Sequence, residues 1–188
     1  MTMDEQCAHG SLDQLREQHP EKFAPEDEIF SHIHRGDRIF ISTGCGEPQY
    51  LVQALTSFVQ NHPNAIYGAE VFHVWTLGVA PYADRKLQDH FRHNSFFISN
   101  ASREAVNEGI ADYSPVFLSQ IPDLLHRGQV PVDVAMIQVS RPDEHGYMSL
   151  GVSVDITKAA ADEAPLVIAQ VNANQPRIHG DAFVHVSE

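Results

Sequence analysis

Apolar residues in this chain come in short uniform runs, separated by stretches of helical spacing. Ile39, Phe40 and Ile41 form one such run, and Val134-Ala-Met-Ile with Val139 forms another. Uniform runs of this length suit strands buried on both faces. Between them, Leu51, Val52, Leu55, Phe58 and Val59 recur at helical spacing, which predicts a helix over residues 50–59 with one buried face.

The same reading extends along the chain. Helices are expected over residues 12–18, with Ser11 as cap, and over about 26–34, with acids in the first turn and Gly36 at the end. Further helices are expected over 103–108, capped by Asn100 or Ser102, over 119–126, and over 156–163 behind Asp155. Strands are expected over 69–77, 95–99, 132–139, 149–154, 165–171 and 182–186. Residues 78–93 stay ambiguous, because Pro81 interrupts them and 85–92 fits one helical turn or two. Strands that alternate with helices predict an α/β fold, a largely parallel sheet flanked by helices. Strand order is not legible at this level. Residues 1–36 read as a helical amino-terminal extension and 37–188 as the main domain.

Composition narrows the function classes. The 188 residues carry a net charge of −13 with only 12 Lys and Arg, well scattered. A nucleic-acid surface needs clustered basic residues, so no nucleic acid and no membrane surface is expected as partner. The acidic, polar start is not a secretory signal. Two cysteines, Cys7 and Cys45, do not suggest a disulfide framework, and a reducing cytoplasm is the expected setting. His32 with His34, and His90 with His93, have suggestive spacing, but no third or fourth ligand completes either pair. No metal is expected.

The candidate chemistry centres on Asp37-Arg-Ile-Phe-Ile-Ser-Thr-Gly-Cys-Gly-Glu-Pro-Gln49, a strand that enters a Gly-x-Gly turn and then a helix. Gly44 and Gly46 allow positive φ and close approach of a ligand to backbone amides. Such a turn favours an anion or a developing oxyanion. The third glycine of a dinucleotide fingerprint is absent, since position 49 is Gln, and so is the Gly-Lys-Ser/Thr of a P-loop. The competing reading is a tight turn with no ligand.

Several stretches carry a family resemblance. They are Gly44-Cys-Gly-Glu-Pro-Gln-Tyr-Leu-Val-Gln-Ala-Leu55, Ser102-Arg-Glu-Ala-Val-Asn-Glu-Gly109, Pro131-Val-Asp-Val-Ala-Met-Ile-Gln-Val-Ser140, and Pro142-Asp-Glu-His-Gly-Tyr-Met-Ser-Leu-Gly-Val-Ser-Val-Asp155. Asn172 and Gly180-Asp-Ala-Phe-Val-His-Val-Ser187 follow. Together they resemble the amino-terminal domain of the acetyl-CoA hydrolase/transferase family, which includes 4-hydroxybutyrate and succinyl CoA-transferases. The resemblance implies a CoA-transferase-like fold with two similar α/β domains. It also implies a glutamate nucleophile in the carboxy-terminal domain, which passes through acyl-glutamyl anhydride and glutamyl-CoA intermediates.

On that reading no residue of this chain is the nucleophile, and Glu47, Glu70, Glu104, Glu108 and Glu144 are not promoted to the role. The chain stops near the end of the first domain, so the isolated chain is expected to be inactive. The expected partners are acyl-CoA, a small carboxylate and a carboxy-terminal domain of the same protein. A homo-oligomer stays open. Coenzyme A enters as substrate, and no tightly bound cofactor is expected.

Gly44, Cys45, Gly46, Glu47 and Gln49 are the candidate substrate contacts, with Cys45 read as a small turn residue rather than a nucleophile. Arg103 is a candidate for a carboxylate or CoA phosphate, or else for a surface acid. Gly146, Ser149 and Gly151 are candidates for the acyl-pocket wall, although Asp143, Ser153 and Asp155 beside them also read as turn and cap residues. Asn172 ends a strand, where α/β sheets bind ligands. Two other function classes compete: a non-catalytic acyl-CoA sensor in a fusion protein, and a sugar-phosphate isomerase. The second lacks a recognisable phosphate nest.

Overall fold

The computed structural model describes residues 12–187. The expected Ser11 cap and the environment of Cys7 lie outside the described residues. The strands are β1 (Arg38–Ile41), β2 (Ala69–His73), β3 (Phe91–Ser95), β4 (Ala111–Tyr113), β5 (Val134–Val139), β6 (Tyr147–Ser149), β7 (Leu166–Val171) and β8 (Phe183–His185). The helices are α1 (Leu12–Gln18), α2 (Glu26–Ser31), α3 (Gln49–Asn61), α4 (Asn100–Asn107), α5 (Ile121–His126) and α6 (Thr157–Glu163). None of them is long and apolar enough to cross a membrane.

Six strands form one parallel sheet in the order β4-β3-β2-β1-β5-β7, and β6 pairs with β8 antiparallel. This is the expected α/β architecture. The uniform apolar runs have the expected cause. Ile39 and Ile41 of β1, with Val134 and Met136 of β5, face a core built with α2 and α3. Phe40, Ala135, Ile137 and Val139 face the opposite core, which holds Leu15 of α1, Ile121 and Leu125 of α5 and Ala159 and Ala160 of α6. Phe30 and the adjacent Ile33 join the first core, so both helices before β1 pack onto the sheet.

Several boundaries differ from expectation. The third strand lies at Phe91–Ser95, not at 95–99. Its inward residues are Phe91, His93 and Ser95, so two of three buried positions are polar and the apolar signal is hidden. Residues 78–90 make two 3-10 turns, Pro81–Ala83 and Arg85–Leu87. The strand β4, three residues long, escaped notice. The helix α4 starts at Asn100 behind a Ser99–Ser102 capping box, rather than behind Asn100 or Ser102 alone. The strand expected over 149–154 is β6, which ends at Ser149.

Candidate functional site

The first three connections carry the chain from β1 outward through β2 and β3 to β4, and β5 then returns to the other side of β1. Strand order therefore reverses between β1 and β5. In doubly wound sheets the crevice at the carboxyl ends of such a pair is where ligands bind. The Gly44–Cys45–Gly46 turn sits at that point, directly after β1 and before α3.

The turn is braced from three sides. Gly44 has φ of +56°, a left-handed conformation that glycine adopts without strain. Its N–H donates to Trp75 O (2.9 Å), in the loop after β2. The Gly46 N–H donates to Thr43 O (3.0 Å) and to Ser153 Oγ (3.1 Å). The two glycine amides are thus occupied within the fold, unlike the free donors expected of such a turn. The Cys45 N–H has no partner among the described residues, and Cys45 is exposed. The turn amide left without a hydrogen-bond partner among the described residues is thus the one between the glycines.

From the β5 side, Gln138 Nε2 donates to Cys45 O (3.4 Å), while Gln138 Oε1 accepts from Gln170 Nε2 (3.0 Å) and Asn172 Nδ2 (3.2 Å). Gln170 Oε1 in turn accepts from the Leu51 N–H in the first turn of α3 (3.3 Å). This amide chain ties the ends of β5 and β7 to the turn and to the helix. Asn172 belongs to it, though at one remove from Cys45. Behind the turn, Thr43 Oγ1 donates to Asp155 Oδ2 (2.9 Å), and the Ser42 and Thr157 hydroxyls are 3.0 Å apart. Asp155 Oδ1 also accepts from the Thr157 N–H (3.2 Å) at the start of α6, although the N-cap position itself is Ile156 and not the expected Asp155.

Glu47 is buried. Its Oε2 accepts from the Thr76 hydroxyl and from the Gly78 N–H (3.0 Å). Its Oε1 is buried with no partner among the described residues. Burial pushes this carboxyl above the ordinary carboxylate range, against the opposing pull of Thr76, Gly78 and Leu77. Gln49 is exposed, and its side chain lies over Gly78.

The remaining candidates lie elsewhere. Arg103 is exposed near the start of α4, the helix that follows β3 in the chain. Gly146, Ser149 and Gly151 organise the small β6–β8 sheet. A Cβ on Gly146 would lie 2.9 Å from His185 Nε2, and one on Gly151 only 2.2 Å from Gln175 Nε2. Ser149 Oγ accepts from the N–H groups of Gly151 (3.1 Å) and Ile178 (3.3 Å). Ser153, four residues on from Ser149, is the member of that segment that touches the turn.

Sequence reasoning missed Thr76, Gly78, Gln138 and Gln170. A signal existed for the last two: each is the one polar residue in an otherwise apolar strand, and the two are register partners. A second buried polar group also went unseen. His73 stacks on His93 at 4.6 Å, Tyr82 Oη lies 2.9 Å from His73 Nε2, and Ser95 Oγ lies 2.8 Å from His93 Nε2. Burial favours the neutral form of both imidazoles: it lowers His93 to about 4 and pushes His73 in the same direction.

Comparison with known proteins follows the same lines. A family model described as acetyl-CoA hydrolase/transferase N-terminal domain matches residues 5–188. The 4-hydroxybutyrate coenzyme A transferase of Clostridium kluyveri is 46% identical over 168 residues, which is 89% of this chain and 38% of that protein. The succinyl-CoA:acetate/propanoyl-CoA:succinate CoA transferase of Fasciola hepatica is 41% identical over 86% of this chain and 33% of its own length. The crystal structure of RipA from Yersinia pestis superposes with a TM-score of 0.82 at 27% identity, over 92% of this chain and 42% of that one. This chain therefore spans between a third and two fifths of the curated relatives it matches.

Proposed function

We propose, for a chain that belongs to the acetyl-CoA hydrolase/transferase family, that it forms the amino-terminal domain of a CoA-transferase. The complete protein would move CoA between an acyl-CoA and a carboxylic acid. A glutamate carboxylate outside this chain attacks the thioester carbonyl, the C–S bond breaks and CoA thiolate leaves, which forms an acyl-glutamyl anhydride. The thiolate then attacks the glutamyl carbonyl, releases the acyl group as a carboxylate and leaves a glutamyl-CoA thioester. The acceptor carboxylate runs the two steps in reverse, and water in its place makes the reaction a hydrolysis.

The part proposed for this chain is to hold the carbonyl oxygen as negative charge develops on it. The observation that carries the reading is the open Cys45 N–H at the β1–β5 reversal, with both neighbouring amides already occupied. A donor held rigid before the reaction stabilises the oxyanion with little reorganisation, which is the larger part of oxyanion-hole catalysis. Gln138 on the carbonyl of the same residue and Ser153 on the next amide supply that rigidity. Arg103 stays a candidate for the anionic parts of CoA.

The surface around the turn supports a second domain. Trp75, Leu77 and Phe97 are exposed at the carboxyl ends of β2 and β3, and Phe117, after β4, is 76% exposed. A row of large apolar groups beside a ligand crevice suits a face that another domain covers.

The test is CoA transfer by the complete gene product. Acetyl-CoA and a short-chain carboxylate should give the exchanged thioester, and borohydride should trap a glutamyl thioester on a residue outside this chain. Tight acetyl-CoA binding without turnover would favour an acyl-CoA sensor instead.

A further inference from the structure

We propose that Glu47 is a positioning residue: its buried carboxylate locks the loop after β2 to the turn after β1 and so sets the direction of the Cys45 N–H. The proposal rests on the reading above, in which that N–H meets the thioester carbonyl.

Three observations carry it. The first is the clasp itself. Glu47 is 4% exposed, and its Oε2 collects both the Thr76 hydroxyl and the Gly78 N–H. Gly44 closes the same clasp from the other side of Cys45, through its N–H to Trp75 O and a parallel bridge to Thr76. The Cys45 peptide is therefore suspended between two attachments to one loop; without Glu47 that loop is joined to the turn only through its backbone, and Gln138 and Ser153 hold the turn from the other side.

The second observation is cost. A buried carboxylate with one oxygen unsatisfied lowers stability, and an amide or a small apolar residue would serve a purely structural turn better. Buried groups left in this state mark places where something other than stability dictates the residue.

The third is Gly78. Its φ is not in the left-handed region, so conformation does not call for glycine there. Closeness bears on it: a Cβ would lie 3.0 Å from Glu47 Oε2 and press on the carboxylate, while its 2.7 Å contact with Gln49 Nε2 meets the end of an exposed side chain that can move aside. The loop has no side chain at the point where its N–H reaches the carboxylate.

Two measurements test the proposal. In the 15N-labelled chain, amide hydrogen exchange at Gly78 and the Cys45 amide resonance are compared for wild type, Glu47→Gln, Glu47→Ala and Thr76→Val. Glu47→Ala and Thr76→Val should speed Gly78 exchange by about tenfold or more and move the Cys45 resonance, while Glu47→Gln, which keeps an acceptor oxygen, stays within about threefold. Wild-type exchange in Glu47→Ala overturns the proposal whatever the protein's activity. If Glu47→Ala does not fold, the Cys45 resonance in Thr76→Val decides: Thr76 Oγ1 also accepts from the Gly78 N–H (3.2 Å), so Gly78 exchange rises there on either account, whereas an unmoved Cys45 resonance overturns the proposal.

In the complete gene product, Glu47→Ala should lower kcat about tenfold with the KM for acetyl-CoA nearly unchanged, and Glu47→Gln should restore kcat to within about threefold. A change in KM alone overturns positioning, since it means direct substrate contact. Absence of turnover in the wild type refutes the proposed function and leaves Glu47 to be decided by exchange.

Discussion

Lowering the pH from 7 to 4.5 should destabilise this fold through its buried histidines. His93 Nδ1 lies 3.0 Å from Val71 O, a group that can only accept, so Nδ1 carries the proton and Nε2 accepts from the Ser95 hydroxyl. A second proton on the ring would have to enter a site that is 1% exposed and stacked on His73. Burial, the dominant cause, lowers His93 from 6.5 to about 4. A folded pKa below the unfolded one means that the unfolded chain binds the extra proton first. Stability is then unaffected above pH 6.5, falls as the pH drops below it, and levels out below about 4.

The gap is about 2.5 pH units, and at about 1.4 kcal/mol each His93 accounts for a loss of about 3 kcal/mol at full protonation. Against a typical domain stability of about 5–15 kcal/mol that loss is large. His73 adds in the same direction.

The assay is urea denaturation of wild type and His93→Gln at pH 7.0, 6.0, 5.0 and 4.5, followed by circular dichroism. The variant is less stable at pH 7, but its stability should fall less steeply with acid. By pH 4.5 the wild type should have lost about 2–3 kcal/mol more than the variant did over the same interval. Asp112 and Asp143 are held below the usual carboxylate range and lose stability only at lower pH, and Glu47, raised by burial and opposite in sign, is common to both proteins and cancels in the difference. Parallel pH profiles for the two proteins would refute the reasoning, since the difference isolates the imidazole.

Other consequences can be checked alongside the Glu47 experiments. Gly46→Ala should cost about 1–3 kcal/mol in denaturation, because its Cβ would lie 2.7 Å from Ser153 Cβ; adding Ser153→Gly should recover part of that loss, and an unchanged midpoint would show that the turn shifts freely. The exposed Cys45 thiol should react with iodoacetamide in native buffer, and acetyl-CoA should slow that reaction in the complete protein, read by mass spectrometry of the Cys45 peptide. Equal rates with and without acetyl-CoA would remove Cys45 from the site. The 188-residue chain alone should show no CoA transfer, and robust exchange from it would place a nucleophile within these residues.

Much of the architecture was legible in the order of residues. β1 and β5 announce themselves because helices cover both of their faces, so no position on them needs to be polar. The Gly44–Gly46 turn was legible because a left-handed glycine and a helix start leave local marks. The strand β3 was misplaced for the opposite reason. His93 and Ser95 are admissible in a core only because Val71 O on β2 accepts from the imidazole and Ser102 Oγ on α4 lies 3.2 Å from the Ser95 hydroxyl, and neither partner can be foreseen from the strand itself.

The sequence by itself therefore determined what depends on neighbours along the chain: the alternation of strands and helices, the turn and the family motifs. Tertiary structure alone decided which amide of the turn stays open and what Glu47 does. The carboxylate's partners lie 29 and 31 residues away, and Gln138 reaches Cys45 across 93. The reversal of strand order between β1 and β5 belongs to the same class. A hydrogen bond is a property of two groups in space, and a sequence records the position of each without recording that they meet.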